Sequence, residues 1–379
     1  MSSLRLRTGS ILVFATASLL SGCGIAPGQR MVTPATVPDT GGDFSTEAAQ
    51  QTQIPITDIN LALLRKMRAD QKSSDLPQAT AALFGKPTAY KVGPGDVLQI
   101  VVWDHPELAA ALGQPPQNSR PSDAMPGFLI DEHGDVQFPY AGTLHVAGRD
   151  VASIQRELHQ RLSKVYQKPE VTVRVASFRN AQVYVDGEVR TPGTQPVNDI
   201  PMSLTSAINL SGGFSANADR GRVELVRNGT TYPLNFDDLI RHGHNPSDIY
   251  LQPGDLVRVA AREDSGVYVM GEVNKPATIL PMRNGSLTLS QAISDSGSFD
   301  SNTAAAQQLF VIRDSTGDSP QIYHLDATSP VSMLLANQFE LQPKDIVYVG
   351  QGGLVRFNRV LNLLLPAINA AVTGAVLAK

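Results

Sequence analysis

The sequence predicts an α+β protein of several small domains, closed by an amphipathic helix long enough to cross a membrane. Three observations carry this. One turn-and-strand phrase occurs three times, a second phrase recurs twice in step with it, and the C-terminal stretch carries a narrow polar stripe on an otherwise apolar, uncharged surface. Composition agrees. At 379 residues the chain exceeds one ordinary domain. Its 31 glycines and 26 prolines, with 6% aromatic and 17% charged residues, suit short strands and tight turns better than helical bundles. A formal charge of −4 with no basic block offers nothing to a nucleic acid.

The first residues form a processing segment. Arg5 and Arg7 precede the apolar run from Ile11 to Leu20, which is too short to span a hydrocarbon core of ~30 Å. The run ends in Leu20-Ser21-Gly22-Cys23. That is the pattern of a bacterial lipoprotein signal over residues 1–22, after which Cys23 is diacylated and anchors the mature chain to a membrane. An ordinary secretory signal with a chance cysteine is the alternative. Cys23 is the only cysteine, so no disulfide forms within the chain, and a lipid-bearing thioether accounts for its place. Gly24 follows it, not the aspartate that retains many lipoproteins at the inner membrane. Residues 23–88, rich at first in Pro, Thr, Gln and Asp, read as a lipid-anchored tether with one short helical pattern at Ile59 to Met67.

The repeats come next. Val92-Gly93-Pro94-Gly95-Asp96-Val97-Leu98-Gln99-Ile100 is echoed by Leu251-Gln252-Pro253-Gly254-Asp255-Leu256-Val257-Arg258-Val259. It returns as Leu341-Gln342-Pro343-Lys344-Asp345-Ile346-Val347-Tyr348-Val349. Proline presets the second turn position, glycine accepts positive φ at the third, and an alternating strand follows. Lys344 replaces that glycine, so the third turn is expected to be type I. The second phrase is Val183-Tyr184-Val185-Asp186-Gly187-Glu188-Val189, echoed by Val267-Tyr268-Val269-Met270-Gly271-Glu272-Val273. Each copy leads through a proline turn (Pro192, Pro276) to a short helix, Leu204 to Leu210 or Leu289 to Asp295, closed by Ser-Gly-Gly-Phe or Ser-Gly-Ser-Phe. A period of about 85 to 90 residues makes each copy a small domain with one helix on a mixed sheet.

The stretch from Tyr90 to Phe178 begins like a repeat and differs inside. Phe128 to Asp131 and Asp135 to Pro139 read as a hairpin around His133-Gly134. Val151, Ile154, Leu158 and Leu162 are spaced for a helix, and Val171, Val173 and Val175 alternate as a final strand.

The C-terminal segment holds no charge between Arg359 and Lys379. A helix from about residue 351 to 377 would be roughly 40 Å long, enough to cross ~30 Å of hydrocarbon. Asn358, Asn362, Asn369 and Thr373 share one face, while Leu361, Leu364, Ile368 and Val372 belong to the broad apolar remainder. A narrow polar stripe on an apolar helix suits water on one side and lipid on the other. One helix encloses nothing, so a pore needs a ring of copies; eight helices of ~10 Å diameter would leave a lumen about 15 Å wide. A buried helix, or a dimerisation helix whose asparagines pair between chains, is the alternative. Pro366 is expected to kink the span.

Catalytic and metal readings are weaker. Asp104, His105 and Glu107 lie close in sequence without a nucleophile motif, and they read as a polar turn after a strand. His242, His244 and His324 lack ligand spacing. Gly93-Pro94-Gly95 lacks the helix and Lys-Ser/Thr of a phosphate loop. No catalytic residue, metal or cofactor is expected.

Several motifs carry a family resemblance. Tyr90 to Leu98, Val102-Trp103-Asp104-His105-Pro106-Glu107-Leu108, Phe138-Pro139-Tyr140-Ala141-Gly142, Val146-Ala147-Gly148 and Pro169-Glu170-Val171-Thr172-Val173 resemble a polysaccharide export domain. The two later repeats resemble the SLBB, or soluble-ligand-binding β-grasp, domains that follow it. Phe357-Asn358-Arg359 through Leu364-Leu365-Pro366 resembles the C-terminal membrane helix of the same outer-membrane polysaccharide export family, of the Wza translocon type. Phe357 is the helix's only aromatic residue; it has no tryptophan.

The resemblance implies an export domain at 89–179, β-grasp-like domains at 180–262 and 263–350, and a transmembrane helix at 351–379 that forms an α-helical barrel in the oligomer. It further implies a homo-oligomeric ring, most simply an octamer, passing a capsular polysaccharide or exopolysaccharide from the periplasm to the cell surface. The implied partners are outer-membrane lipid and an inner-membrane polysaccharide co-polymerase, the tyrosine-kinase type included. A periplasmic carbohydrate-binding or scaffolding lipoprotein without a pore is the competing expectation.

Overall fold

Each copy of the repeated phrase is a turn locked by its own aspartate. The computed structural model describes residues 33–38, 51–72, 78–105, 127–313 and 320–353, with Gln29, Met31, Leu108 and Val355 besides. In it the backbone N–H groups of Asp96, Asp255 and Asp345 donate to the carbonyls of Gly93, Gln252 and Gln342 at 3.1, 3.0 and 3.1 Å. The three carboxylates accept the N–H groups of those same residues at 3.0, 2.7 and 2.8 Å. All three aspartates are buried. Gly95 and Gly254 sit at φ of +89° and +88°, and Lys344 sits at +66°. The expectation of a type I turn at Lys344 is therefore corrected: the third copy keeps the type II form of the other two. Its N–H donates to Gly266 at 3.0 Å, and the clamped aspartate beside it holds the chain in a region where a side chain is disfavoured.

A buried carboxylate needs donors on every side. In the two repeats arginine supplies them from the neighbouring strand. Arg227 Nη2 reaches Asp255 at 2.7 Å and the Tyr250 carbonyl at 2.8 Å; Arg313 Nη2 reaches Asp345 at 2.8 Å and the Glu340 carbonyl at 2.9 Å. The Arg313 guanidinium also lies over the rings of Tyr323 and Phe339. In the first segment the donors are neutral. The Tyr90 hydroxyl donates to Asp96 at 2.7 Å, and the N–H groups of Arg179 and Asn180 donate at 2.8 and 2.9 Å. Burial first, and the Asp96 carboxylate second, push the Tyr90 hydroxyl far above its ordinary pKa.

The described residues form two compact units, residues 75–262 with 283–285, and residues 1–74, 263–282 and 286–379. The former opens with a three-stranded antiparallel sheet in the order Phe128–Leu129, Val97–Val102, Val171–Ser177. Helix Val151–Leu162, capped by Asp150, buries Ile154, Leu158 and Leu162 in the same core as Leu98, Ile100 and Phe138. The expected hairpin around His133-Gly134 is corrected. Phe128–Leu129 pairs with Val97–Leu98, and Asp135–Phe138 pairs instead with Gly142–His145 across Tyr140-Ala141. Apolar alternation marks strands without naming their partners. This unit continues in a mixed sheet ordered Gly193–Pro196, Gln182–Gly187, Leu256–Ala261, Ala218–Arg227, Thr230–Leu234. Helix Leu204–Leu210, capped by Ser203, buries Leu204, Ala207 and Ile208 in its core. Leu83 joins that core, and Phe84 forms a bridge with Ile249.

The other unit repeats the plan. Its sheet runs Ala277–Ile279, Val267–Gly271, Ile346–Gln351, Ala304–Arg313, Gln321–Leu325, and then a sixth strand, Ile56–Asp58, lying parallel to Gln321–Leu325. Helix Leu61–Lys72 follows that strand, and Ile59 and Leu64 enter the core with Leu289, Ile293 and Phe339. Residues read as a tether thus supply a strand and a helix to the second repeat, because a few apolar side chains in a polar stretch found an open sheet edge. Gly187 and Gly271 end equivalent strands at φ of +82° and +93°. A Cβ on either would stand 2.1 Å from the carbonyl oxygen of Val259 or Val349, so this glycine is steric in both copies.

Among the described residues no helix is long and apolar enough to cross a membrane. Cys23 and the expected C-terminal helix, with Asn358, Asn362, Asn369, Thr373, Leu361, Leu364, Ile368 and Val372, lie outside the described residues.

Two outcomes follow for chemical denaturation of the full chain. Lys344→Gly, which relieves a left-handed side chain, is expected to stabilise by up to about 1 kcal/mol. Arg313→Met leaves the Asp345 carboxylate buried without its cation and is expected to cost about 3–5 kcal/mol.

Candidate functional site

Helix Val151–Leu162 puts its apolar positions in the core and turns the rest outward: Arg156 and Gln160 are exposed, Glu157 and Arg161 half-buried. Glu157 ties two guanidiniums together. Arg149 Nη1 donates to one carboxylate oxygen, and Arg161 Nη2 donates to the other at 2.7 Å. Arg149 also donates to the carbonyls of His145 and Ser153, at 3.0 and 3.1 Å. Arg161 Nη1 reaches the carbonyls of Ala141 and Thr143, at 3.1 and 2.7 Å. Hydrogen bonding from Arg149, reinforced by Arg161, holds the Glu157 carboxyl below the usual carboxylate range despite partial burial. Arg156 and Lys164 have no carboxylate partner among the described residues.

An aromatic cluster forms around the residue just past the C-terminal end of this helix. Tyr166, just past the helix, meets the His105 ring with centroids 4.2 Å apart and the Tyr140 ring edge-on at 5.6 Å. Tyr140 is 66% exposed and Trp103 61%. Trp103 Nε1 donates to Thr172 Oγ1 at 3.1 Å. Asp104 and Tyr140 hold φ of +61° and +62°, which is uncommon for any side chain and rarer for a bulky one. The structure thus joins His105, already singled out in the sequence, to two tyrosines far from it in the chain. Sequence reasoning missed the cluster because scattered aromatics carry no periodicity.

Of the groups weighed for catalysis or metal binding, the histidines are engaged within the fold. His105 packs on Tyr166, and Glu107 lies outside the described residues. His242 Nδ1 sits 2.9 Å from the Asp238 carbonyl oxygen, and His244 packs on Phe84. The two ring nitrogens of His324 lie 2.7 Å from Asp58 and 2.8 Å from the Gln307 carbonyl oxygen. Among the described residues no three His, Cys, Asp or Glu side chains gather as cation ligands.

Comparison with known proteins fits this architecture. Residues 85–176 match the polysaccharide biosynthesis/export protein family, and residues 181–259 and 265–349 each match the SLBB domain. The chain is 39% identical over 381 residues to the EPS I polysaccharide export outer membrane protein EpsA of Ralstonia solanacearum, covering 98% of this chain and 97% of the relative. It is 25% identical to the capsule polysaccharide export protein BexD of Haemophilus influenzae, over 94% of each chain. It is 24% identical to the capsule polysaccharide export outer membrane protein CtrA of a serogroup A Neisseria meningitidis, over 86% of this chain and 88% of the relative.

Because the Glu157 carboxyl is depressed in the folded chain, the stability it contributes is fully present above the ordinary carboxylate pKa of about 4.3 and is lost as pH falls through the lower native value. Glu157→Gln is therefore expected to lower the melting temperature at neutral pH. The gap from the parent protein should close progressively below about pH 4, as followed by thermal melts across pH.

Proposed function

The chain belongs to the family of outer-membrane polysaccharide export proteins, and from that premise we propose that it is the exit conduit for a capsular polysaccharide or exopolysaccharide. The observation that carries the reading is the end-to-end likeness to an exopolysaccharide export outer membrane protein at 39% identity. In this reading diacyl chains on Cys23 hold the protein at the outer membrane while the three α+β domains lie in the periplasm. Copies assemble into a ring, an octamer in the simplest form, and stacked domain rings enclose a hydrophilic vestibule.

The C-terminal helices complete the path. Asn358, Asn362, Asn369 and Thr373 line the water side, and Leu361, Leu364, Ile368 and Val372 face lipid. The stripe's chemistry supports this. Neutral amides exchange hydrogen bonds with a passing sugar without trapping it. No residue is assigned a catalytic step, and the protein is a passive conduit. Energy comes from polymer synthesis and from an inner-membrane co-polymerase that meets the first domain.

Topology tests the reading. A single cysteine added after Lys379 is expected to react in intact cells with a membrane-impermeant thiol reagent, Cys23 being blocked by lipid. Labelling only after the outer membrane is permeabilised would place that end in the periplasm and favour a sugar-binding or scaffolding lipoprotein instead. Within the helix, Leu364→Arg is expected to hinder insertion at a cost of about 2.5–3.5 kcal/mol and to reduce surface polysaccharide. Asn362→Asp is expected to change single-channel conductance while sparing assembly.

A further inference from the structure

We propose that the second repeat stands on the periplasmic leaflet of the outer membrane, with Leu61, Val331 and Leu334 inserted shallowly among lipid acyl chains. The contact rests on the conduit reading. It adds a place where a folded domain meets the bilayer, besides the lipid anchor and the C-terminal helix.

Strand register puts these side chains at one end of the sheet. Strand Ile346–Gln351 finishes there, with Gln351 opposite Ala304 and the Gly352 N–H donating to the Thr303 carbonyl at 2.9 Å. Leu309 lies opposite both Val349 and Leu325, so strand Gln321–Leu325 finishes at the same end. Val331 follows just beyond it. Helix Ser332–Gln338 then runs back along the sheet towards the turn of Gln342 and Asp345 that launches the last strand. Strand Ile56–Asp58 is parallel to Gln321–Leu325, and the Ile59 N–H donates to His324 at 2.7 Å. Helix Leu61–Lys72 therefore starts at this end too. Arg68 Nη2 donates to Gln338 Oε1 at 2.8 Å, which binds the two helices side by side.

Leu61, Val331 and Leu334 are 53%, 68% and 63% exposed. The core is served by Leu64 and Ala336 on the same helices. Leu334 lies one helical turn below Val331 on the same face. A single exposed leucine on a soluble surface is ordinary; the place of these three is what matters. Both routes to the membrane leave from their end of the sheet. The Tyr348 hydroxyl donates to the Gln29 carbonyl, and Gln29 stands six residues after Cys23. Fully extended, that leash spans about 20 Å. The C-terminal segment departs just after strand Ile346–Gln351. A short lipid leash and a membrane-crossing segment hold this end against the bilayer. Charge does not supply the contact. Asp58 and Asp326 are exposed at this end, and Arg65 and Lys66 come a turn further down their helix. Apolar burial at the headgroup boundary supplies it.

The test uses the full lipoprotein, reconstituted in phosphatidylcholine liposomes with or without brominated acyl chains. An environment-sensitive fluorophore is attached through Leu61→Cys, Val331→Cys, Leu334→Cys or Met282→Cys, one at a time, Cys23 being blocked by lipid. Met282 is an exposed control at the other end of the sheet, just beyond Ile279, which lies opposite Val267. Bromine is expected to quench the probe about twofold at 61 and 331, less at 334 and not at 282, in keeping with shallow insertion. High salt is expected to leave the pattern unchanged. Positions 61 and 331 sit on different elements, so if one variant fails to fold the other decides.

No quenching at 61 and 331, or equal quenching at 282, overturns the contact. Blue-shifted emission at 331 without bromine quenching overturns it in favour of a contact between copies. Quenching that vanishes in high salt overturns it in favour of attraction to headgroups. Planar-bilayer conductance of the same preparations keeps the two readings apart. Channels without quenching sink the lipid contact alone. Quenching without channels upholds the contact and sinks the conduit reading.

Discussion

A buried aspartate at the head of a strand, set there by a proline turn, is the constraint on which each folded segment depends. Asp96, Asp255 and Asp345 are each removed from water, and an ionised carboxylate in that position demands donors from several directions. The turn supplies one. The others come from far along the chain: Arg227, Arg313, or the amides of Arg179 and Asn180. A local turn thereby becomes a long-range cross-link. The strand it launches lies inside its sheet in every copy, so satisfying the carboxylate also fixes which strands are neighbours.

The three copies solve the same electrostatic problem with different chemistry. In the two repeats an arginine enters the interior with its aspartate, and aromatic rings or backbone carbonyls complete its shell. In the first domain neutral donors suffice, and arginines are gathered outside, around Glu157. Either way, each carboxylate is held by donors that its own domain supplies.

Much of the fold was legible in the residues. Duplicated phrases marked the two repeats, and apolar spacing placed the helices at Leu204–Leu210, Leu289–Asp295 and Val151–Leu162. These signals are local, and local periodicity follows from backbone geometry alone. Pairing was less legible. The alternation at Phe128–Leu129 and Asp135–Phe138 was visible, yet the strands join different partners. Lys344 was read by its own preference for negative φ, but Asp345 and Arg313 over-determine the turn and override it. The segment Ile56–Asp58 looked like linker because only a distant sheet edge gives it a role.

By itself, then, the sequence determined the α+β class, the repeat plan and the family, since motif order and side-chain period are written residue by residue. It also carried the stripe of Asn358, Asn362, Asn369 and Thr373 as a periodic pattern. Only the tertiary structure decided that His105, Tyr140 and Tyr166 share one cluster, and that Glu157 neutralises Arg149 and Arg161 while Arg156 and Lys164 have no carboxylate partner among the described residues. The physical reason is that those contacts join residues from separate loops and one helix end. Their proximity is a product of packing, which no period along the chain encodes.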